Sequence, residues 1–257
     1  MNVVIGGNQS LIFSSGANNM VAFRPAFWPT DVPGLSSWFS ADYGVYTNVN
    51  NLAQNGGSVS LWTSRINSIT LQQTSSNKQP TFFNGGVKFD GGDVLGGANP
   101  SALNSPLNYY LAIDSISVNN ILTNLPPAVI IKQSSANPGI APYVFSVNYT
   151  GILAAANPDN QYITSNVNNK KTAIACIFLN NDEAIIKNGN LDEYVASLGQ
   201  AGNTETSFFV GSHNNTYGSQ FLKGTIYEIL VYAGTEHTVE QQNLVLQYLA
   251  NKWGLTL

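Results

Sequence analysis

The sequence predicts an all-β fold, a two-sheet sandwich or barrel, on three observations. Short runs rich in Val, Ile, Phe, Tyr and Thr recur along most of the chain. Clusters of Asn, Gly, Ser and Pro separate them, which is the pattern of short strands joined by turns. Only one stretch, near the C-terminus, carries helical periodicity. A chain of 257 residues suits one large all-β unit, because sandwiches and barrels of this size commonly form a single domain.

Composition breaks once, early in the chain. Residues 2–5, 10–13 and 20–23 are short extended runs separated by Gly-Gly and Asn-Asn. None can fold alone, since even a two-stranded hairpin is marginal in water. Their apolar residues must be covered by the domain's own sheet or by a neighbouring subunit pairing with an exposed edge. The second suits a charge-poor protein, so residues 1–26 are expected to be an assembly arm anchored by Phe13, Phe23 and Phe27. Residues 27–257 are then the folded domain.

Within that domain, strands are expected over 81–83, 87–89, 128–131, 143–147, 207–210 and 225–232. The breaks between them have a mechanism: Asn84-Gly85-Gly86, Asp90-Gly91-Gly92-Asp93 and Lys187-Asn188-Gly189-Asn190 supply residues that tolerate the positive φ of tight turns. Asp90 and Asp93 also have a spacing that can cup a calcium ion between carboxylates and carbonyls. A glycine turn capped by Asp side chains explains the same residues without metal and is preferred, so no cofactor is expected. Near the end, Thr238 and Gln241 fit a capping box, and Gly254 can stop the helix. Gln242, Val245, Leu246, Leu249, Ala250 and Trp253 make its apolar stripe.

Only 9% of the residues are charged, where a soluble domain typically has about 25%. Asparagine, roughly one residue in eight, fills much of that gap. With ten Lys plus Arg and a net charge of −4, no basic stripe exists to neutralise phosphates, which argues against nucleic acid. The same shortage argues against electrostatic attachment to an anionic membrane. No run approaches the apolar length of a membrane span. The first ten residues have neither the cationic nor the long apolar region of a secretory signal. A lone Cys176, in a run apolar on both faces, forbids an internal disulfide and reads as a buried structural thiol. The expectation is a chain made in a reducing compartment.

Several landmarks then fall in a recognisable order. Pro33-Gly34-Leu35 is followed by Trp38, Ala41 and Asp42; next come Leu61-Trp62, Gln79-Pro80, and Gly86-Val87-Lys88-Phe89-Asp90-Gly91. Phe209-Val210-Gly211 leads to the run from Phe221 through Glu228 to Tyr232, and Tyr248-Leu249-Ala250 with Lys252-Trp253-Gly254 closes the chain. This succession resembles the laminin-G-like, concanavalin A-type lectin and glucanase domains, of the kind found in bacteriophage virion proteins. The resemblance implies a two-sheet antiparallel jelly-roll sandwich with one C-terminal amphipathic helix. It covers residues from about 28 to 257 and is weakest between 96 and 180.

Catalysis is not expected. Glucanases of this fold place acids at alternate positions of one strand, since hydrolysis needs an acid and a nucleophile flanking the sugar bond. No Glu-x-Asp-x-Glu run exists here, and the adjacent pairs Asp182-Glu183 and Asp192-Glu193 point to opposite strand faces. Glu228, expected on one strand face with Ile226 and Leu230, is tempting as an acid, but a strand carboxylate bonded to neighbouring backbone is preferred. Trp38, Trp62, Phe89, Phe221 and Trp253 read as core packing. His213 and His237 form no triad or metal-ligand spacing. The loop holding His213, Asn214, Asn215, Tyr217 and Gln220 offers amides, hydroxyls and a ring suited to sugars. The expected role is a non-enzymatic virion surface protein, made in the host cytoplasm. It would decorate a capsid or join a tail or fibre, with copies of itself and capsid or tail proteins as partners. A glycan-binding adhesin contacting the host surface is the runner-up and a glycoside hydrolase the third reading.

Overall fold

The computed structural model describes residues 27–98, 107–118, 128–134, 144–147, 152–156, 165–166, 171–179, 183–188, 191–196, 207–212, 221–255 and 257. The arm with Phe13 and Phe23, and the loop with His213, Asn214, Asn215, Tyr217 and Gln220, lie outside the described residues.

Apolar alternation builds two antiparallel sheets, with strands numbered in chain order. The first runs β16 (Leu191–Ala196), β15 (Glu183–Asn188), β14 (Thr172–Leu179), β9 (Leu107–Val118), β18 (Leu222–Ala233), β7 (Gly86–Asp90) and β6 (Thr81–Phe83). β1 (Leu35–Ser40) also pairs with β18. The second runs β13 (Ser165–Asn166), β12 (Ile152–Ala156), β11 (Val144–Val147), β10 (Ala128–Ser134), β17 (Ser207–Val210) and β8 (Leu95–Ala98). It continues through β5 (Thr70–Gln72), β4 (Leu61–Thr63), β2 (Val45–Asn48) and β3 (Asn51–Leu52). The β6–β7 hairpin turns on Asn84 at φ 49° and Gly85 at φ 77°, the doubly positive turn whose twist matches that of the flanking strands.

The interior lies between the sheets, around Phe39, Trp62, Phe89, Leu111, Phe208 and Ile229. A second apolar layer covers the outer face of the first sheet, where α1 (Val239–Trp253) docks. β9 shows why both layers exist. Leu107, Tyr109, Leu111 and Ile113 point inward, while Tyr110 and Ala112 point to the outer layer. Such a strand is buried on both faces and reads as nearly continuously apolar. The helix is capped as its sequence requires: Thr238 Oγ1 accepts from the Gln241 amide at 3.3 Å and Gln241 Oε1 accepts from the Thr238 amide at 2.9 Å. Gly254, at φ 61°, ends it. Val245, Leu246 and Leu249 are fully buried, while Trp253 and Phe221 are only partly so; beside Phe221, Leu222 enters the core instead.

β18 departs from strict alternation. Ile226 pairs with Ile113 and Glu228 with Ala112, so Tyr227 and Glu228 together oppose one partner step. This bulge sends Ile226 to the interior but Tyr227 and Leu230 to the outer layer. Glu228 follows them outward. The expected shared face of Ile226, Glu228 and Leu230 is therefore corrected, because an inserted residue reverses the parity of a strand.

His237 locks the junction between β18 and α1. Its Nδ1 lies 2.8 Å from the Tyr110 hydroxyl, and its Nε2 lies 3.2 Å from the Pro33 carbonyl. The pair fits one neutral tautomer, in which Nε2–H donates to Pro33 and Nδ1 accepts from Tyr110. The ring is stacked against Tyr110 and meets Tyr232 edge-on. Burial lowers its pKa below the ordinary 6.5, and the Pro33 carbonyl only partly opposes this. The unfolded chain therefore takes up a proton that the folded chain resists, so this stability is present above about pH 6.5 and is lost as pH falls through the folded pKa. Denaturant midpoints measured from pH 7.5 to 5 should fall more steeply for the native chain than for His237→Gln; parallel profiles would remove His237 from the pH response.

Candidate functional site

The outward turn of Glu228 places a carboxylate with no solvent exposure beneath α1, and four side-chain donors and the Ser40 oxygen converge on it. Oε1 accepts from Trp38 Nε1 at 2.6 Å and from the Tyr248 hydroxyl at 3.0 Å. Oε2 accepts from Trp253 Nε1 at 2.6 Å, and Ser40 Oγ lies 3.2 Å away. Lys252 Nζ completes the set as an ion pair at 2.7 Å. The expected bonding of Glu228 to backbone is thus corrected: its partners are the side chains of β1 and of the last two turns of α1. Local sequence arranges these donors, since Tyr248 and Lys252 stand four residues apart and share one helix face.

Lys252 joins this buried carboxylate to a surface one. Its ammonium donates to Ser40 Oγ at 2.8 Å and approaches Asp42 Oδ2 at 3.3 Å, and it lies 4.8 Å from the Trp253 ring centre. Ser40 also donates to Asp42, and Arg65 Nη2 pairs with Asp42 Oδ1 at 2.9 Å. Burial pushes the Asp42 carboxyl upward. The Ser40 hydroxyl, Lys252 and Arg65 outweigh it and hold the pKa below the ordinary carboxylate value. Two carboxylates on one ammonium superficially resemble a hydrolytic acid pair, which flanks a sugar bond. Glu228, however, is sealed behind two indoles and a phenol, so no sugar ring reaches it. Its work is to hold β1, β18 and α1 together, while Asp42 remains the accessible member.

Asp90 and Asp93 serve their own turn. Asp90 Oδ1 accepts from the Gly92 amide at 2.9 Å, and Asp93 Oδ2 accepts from the Asp90 amide at 2.8 Å. Among the described residues, no group of three or more His, Cys, Asp or Glu gathers to hold a metal. Burial raises the Asp93 pKa to about 7, with the charge of Asp90 adding to the rise and the Asp90 amide opposing it. Phe27, expected as an assembly anchor, packs edge-on against Tyr248 at 6.3 Å and belongs to the layer beneath α1.

No family model matches the sequence, and no curated protein matches it. Solved structures do share its fold. A Trypanosoma rangeli sialidase with 2,3-difluorosialic acid as covalent intermediate matches 87% of this chain at TM-score 0.54 and 12% identity. A GH54 α-L-arabinofuranosidase soaked with a cyclic sulfate inhibitor matches 84% at TM-score 0.58 and 10% identity. An arabinofuranosidase complexed with arabinofuranosyl-α-1,2-xylobiose matches 84% at 0.57 and 11%. The chain spans 34% of the sialidase chain and 62% of each of these arabinofuranosidase chains. At such identity the likeness is one of fold, and active-site residues do not transfer with it.

These matches correct two expectations. The chain was expected to be a non-enzymatic virion surface protein of a capsid, tail or fibre. The folds it shares are instead those of carbohydrate-hydrolysing enzymes. Neither the virion role nor the exclusion of enzymatic function is retained.

Two outcomes follow from this geometry. Glu228→Gln should cost about 3–5 kcal/mol in denaturant unfolding, the range for breaking a buried ion pair. Combining it with Lys252→Met should cost less than the sum of the single changes, because both act on one network; strict additivity would show that the two charges do not support each other. At Asp93, a raised folded pKa means stability is fully present below about pH 4 and is lost as pH rises toward 7. The advantage of Asp93→Asn over the native chain should therefore grow across that window, and a constant difference would show that Asp93 does not titrate in it.

Proposed function

We propose that this chain is the β-sandwich module of a carbohydrate-active, glycoside-hydrolysing protein. Its strands are read as following the jelly-roll plan of the laminin-G-like and concanavalin A-type domains that residues 28–257 resemble. The observation that carries the reading is the match of 84–87% of the chain to a sandwich within a sialidase and arabinofuranosidases. Its neutral, amide-rich surface agrees with sugar contact, since hydroxyls and amides exchange hydrogen bonds without the cost of desolvating ions.

Two measurements on the purified chain test this reading. It should be retained on at least one glycan of a broad array above an albumin control, and 4-nitrophenyl glycosides, α-L-arabinofuranoside included, report any hydrolysis. Retention with hydrolysis places the catalytic groups within these 257 residues; retention alone assigns this module the recognition of the polymer. Neither retention nor hydrolysis on any glycan would overturn the proposal.

A further inference from the structure

Trp38 is buried beside Glu228 and Tyr248 and Trp253 are partly so, but Tyr43 stands at the surface with 46% of its area exposed. It sits in the turn after β1, and that turn is held tightly. The Tyr43 amide donates to the Ser40 carbonyl at 3.0 Å, the Ala41 amide to Tyr227 at 2.8 Å, and the Thr63 amide to Gly44 at 2.8 Å. Gly44, at φ 66°, passes so close to β4 that a Cβ would lie 2.7 Å from the Thr63 carbonyl oxygen. The Arg65 guanidinium lies between two rings, 5.1 Å from the centre of Trp38 and 4.8 Å from that of Tyr43. Tyr43 is thus backed on one face and open on the other, with its orientation set in advance.

Asp42 stands next to it, with 45% of its side chain exposed. Its Oδ1 is engaged by Ser40 and Arg65. Its Oδ2 has one contact among the described residues, Lys252 at 3.3 Å. A carboxylate has about four lone-pair sites, so Oδ2 retains acceptor capacity on a side chain that is 45% exposed. A flat ring and a neighbouring acceptor meet the needs of a sugar: C–H groups for the ring, hydroxyls for the carboxylate.

Building on the carbohydrate reading above, we propose that Tyr43, Asp42 and Arg65 form a binding site for a neutral sugar. The ring stacks on the open face of Tyr43, Asp42 Oδ2 accepts from sugar hydroxyls, and Arg65 backs Tyr43 from its other face and holds Asp42. The class follows from charge. Of the charged groups at this site the carboxylate is the most exposed, at 45%, while the side chains of Arg65 and Lys252 are only 24% and 21% exposed. An anionic sugar would meet Asp42 before either cation. Pre-orientation of the ring lowers the ordering cost of binding.

The native chain, Tyr43→Ala, Tyr43→Phe and Asp42→Asn are compared on an array of neutral and sialylated glycans, with affinities for retained glycans taken by calorimetry. Tyr43→Ala should weaken binding about tenfold or more, Tyr43→Phe should retain it, and Asp42→Asn should weaken it severalfold. Thermal melts check that Tyr43→Ala, at an exposed position, leaves the fold intact. Equal binding by the native chain and Tyr43→Ala would overturn this site while leaving the carbohydrate reading in place. Preference for sialylated over neutral glycans would overturn the sugar class. Absence of binding by the native chain would overturn this site, and the broader reading with it if no 4-nitrophenyl glycoside is hydrolysed.

Discussion

A carboxylate removed from water must find donors for both oxygens, and at Glu228 that demand is met only when three distant parts of the chain meet. Trp38 and Ser40 come from β1, Glu228 itself from β18, and Tyr248, Lys252 and Trp253 from α1. An unpaired buried charge costs several kcal/mol, so partial assembly is disfavoured. Docking of the helix and closure of β1 onto β18 are therefore coupled to one polar node. The bulge in β18 is its precondition, because unbroken alternation would have aimed Glu228 into the apolar interior.

Scarcity of charge gives the node its influence. Four charged side chains, Asp42, Arg65, Glu228 and Lys252, are joined in one network beside Trp38. Its inner end is sealed and structural, while its outer end reaches solvent at Asp42 and backs Tyr43. Positions fixed by the fold's own stability thereby become positions fixed for a ligand, which is how a rigid scaffold supports a precise surface site. The sandwich shared with a sialidase and arabinofuranosidases supplies the frame, and the β1–β2 turn supplies chemistry belonging to this chain.

His237 and Asp93 show the opposite response of buried groups that lack a full set of charged partners. Burial disfavours the ionised form of each, lowering the pKa of the imidazole and raising that of the carboxyl. Their contributions to stability therefore run in opposite directions with pH. Glu228, by contrast, is met by one cation and by the Trp38, Tyr248 and Trp253 donors.

The elements legible in the sequence were those whose signals are local. The capping pair Thr238 and Gln241 with the stop at Gly254 marked the helix, and Asn84-Gly85 marked the β6–β7 hairpin. Each depends on φ preferences and hydrogen bonds spanning four residues or fewer. The alternating runs marked the strands for the same reason, and with them the all-β class. Trp38, Asp42, Glu228, Lys252 and Trp253 were all visible as landmarks, yet their convergence was not. The bond from Trp38 to Glu228 spans 190 residues, and the bulge that aims it lacks a local composition signal. Tertiary structure alone placed Glu228 with Leu230 and away from Ile226, neutralised His237 between Tyr110 and Pro33, and stood Tyr43 on Arg65. Sequence by itself determined which segments become strands, turns and helix, because those preferences act between near neighbours; packing decided which polar groups meet, because burial and charge pairing exist only once distant segments share a space.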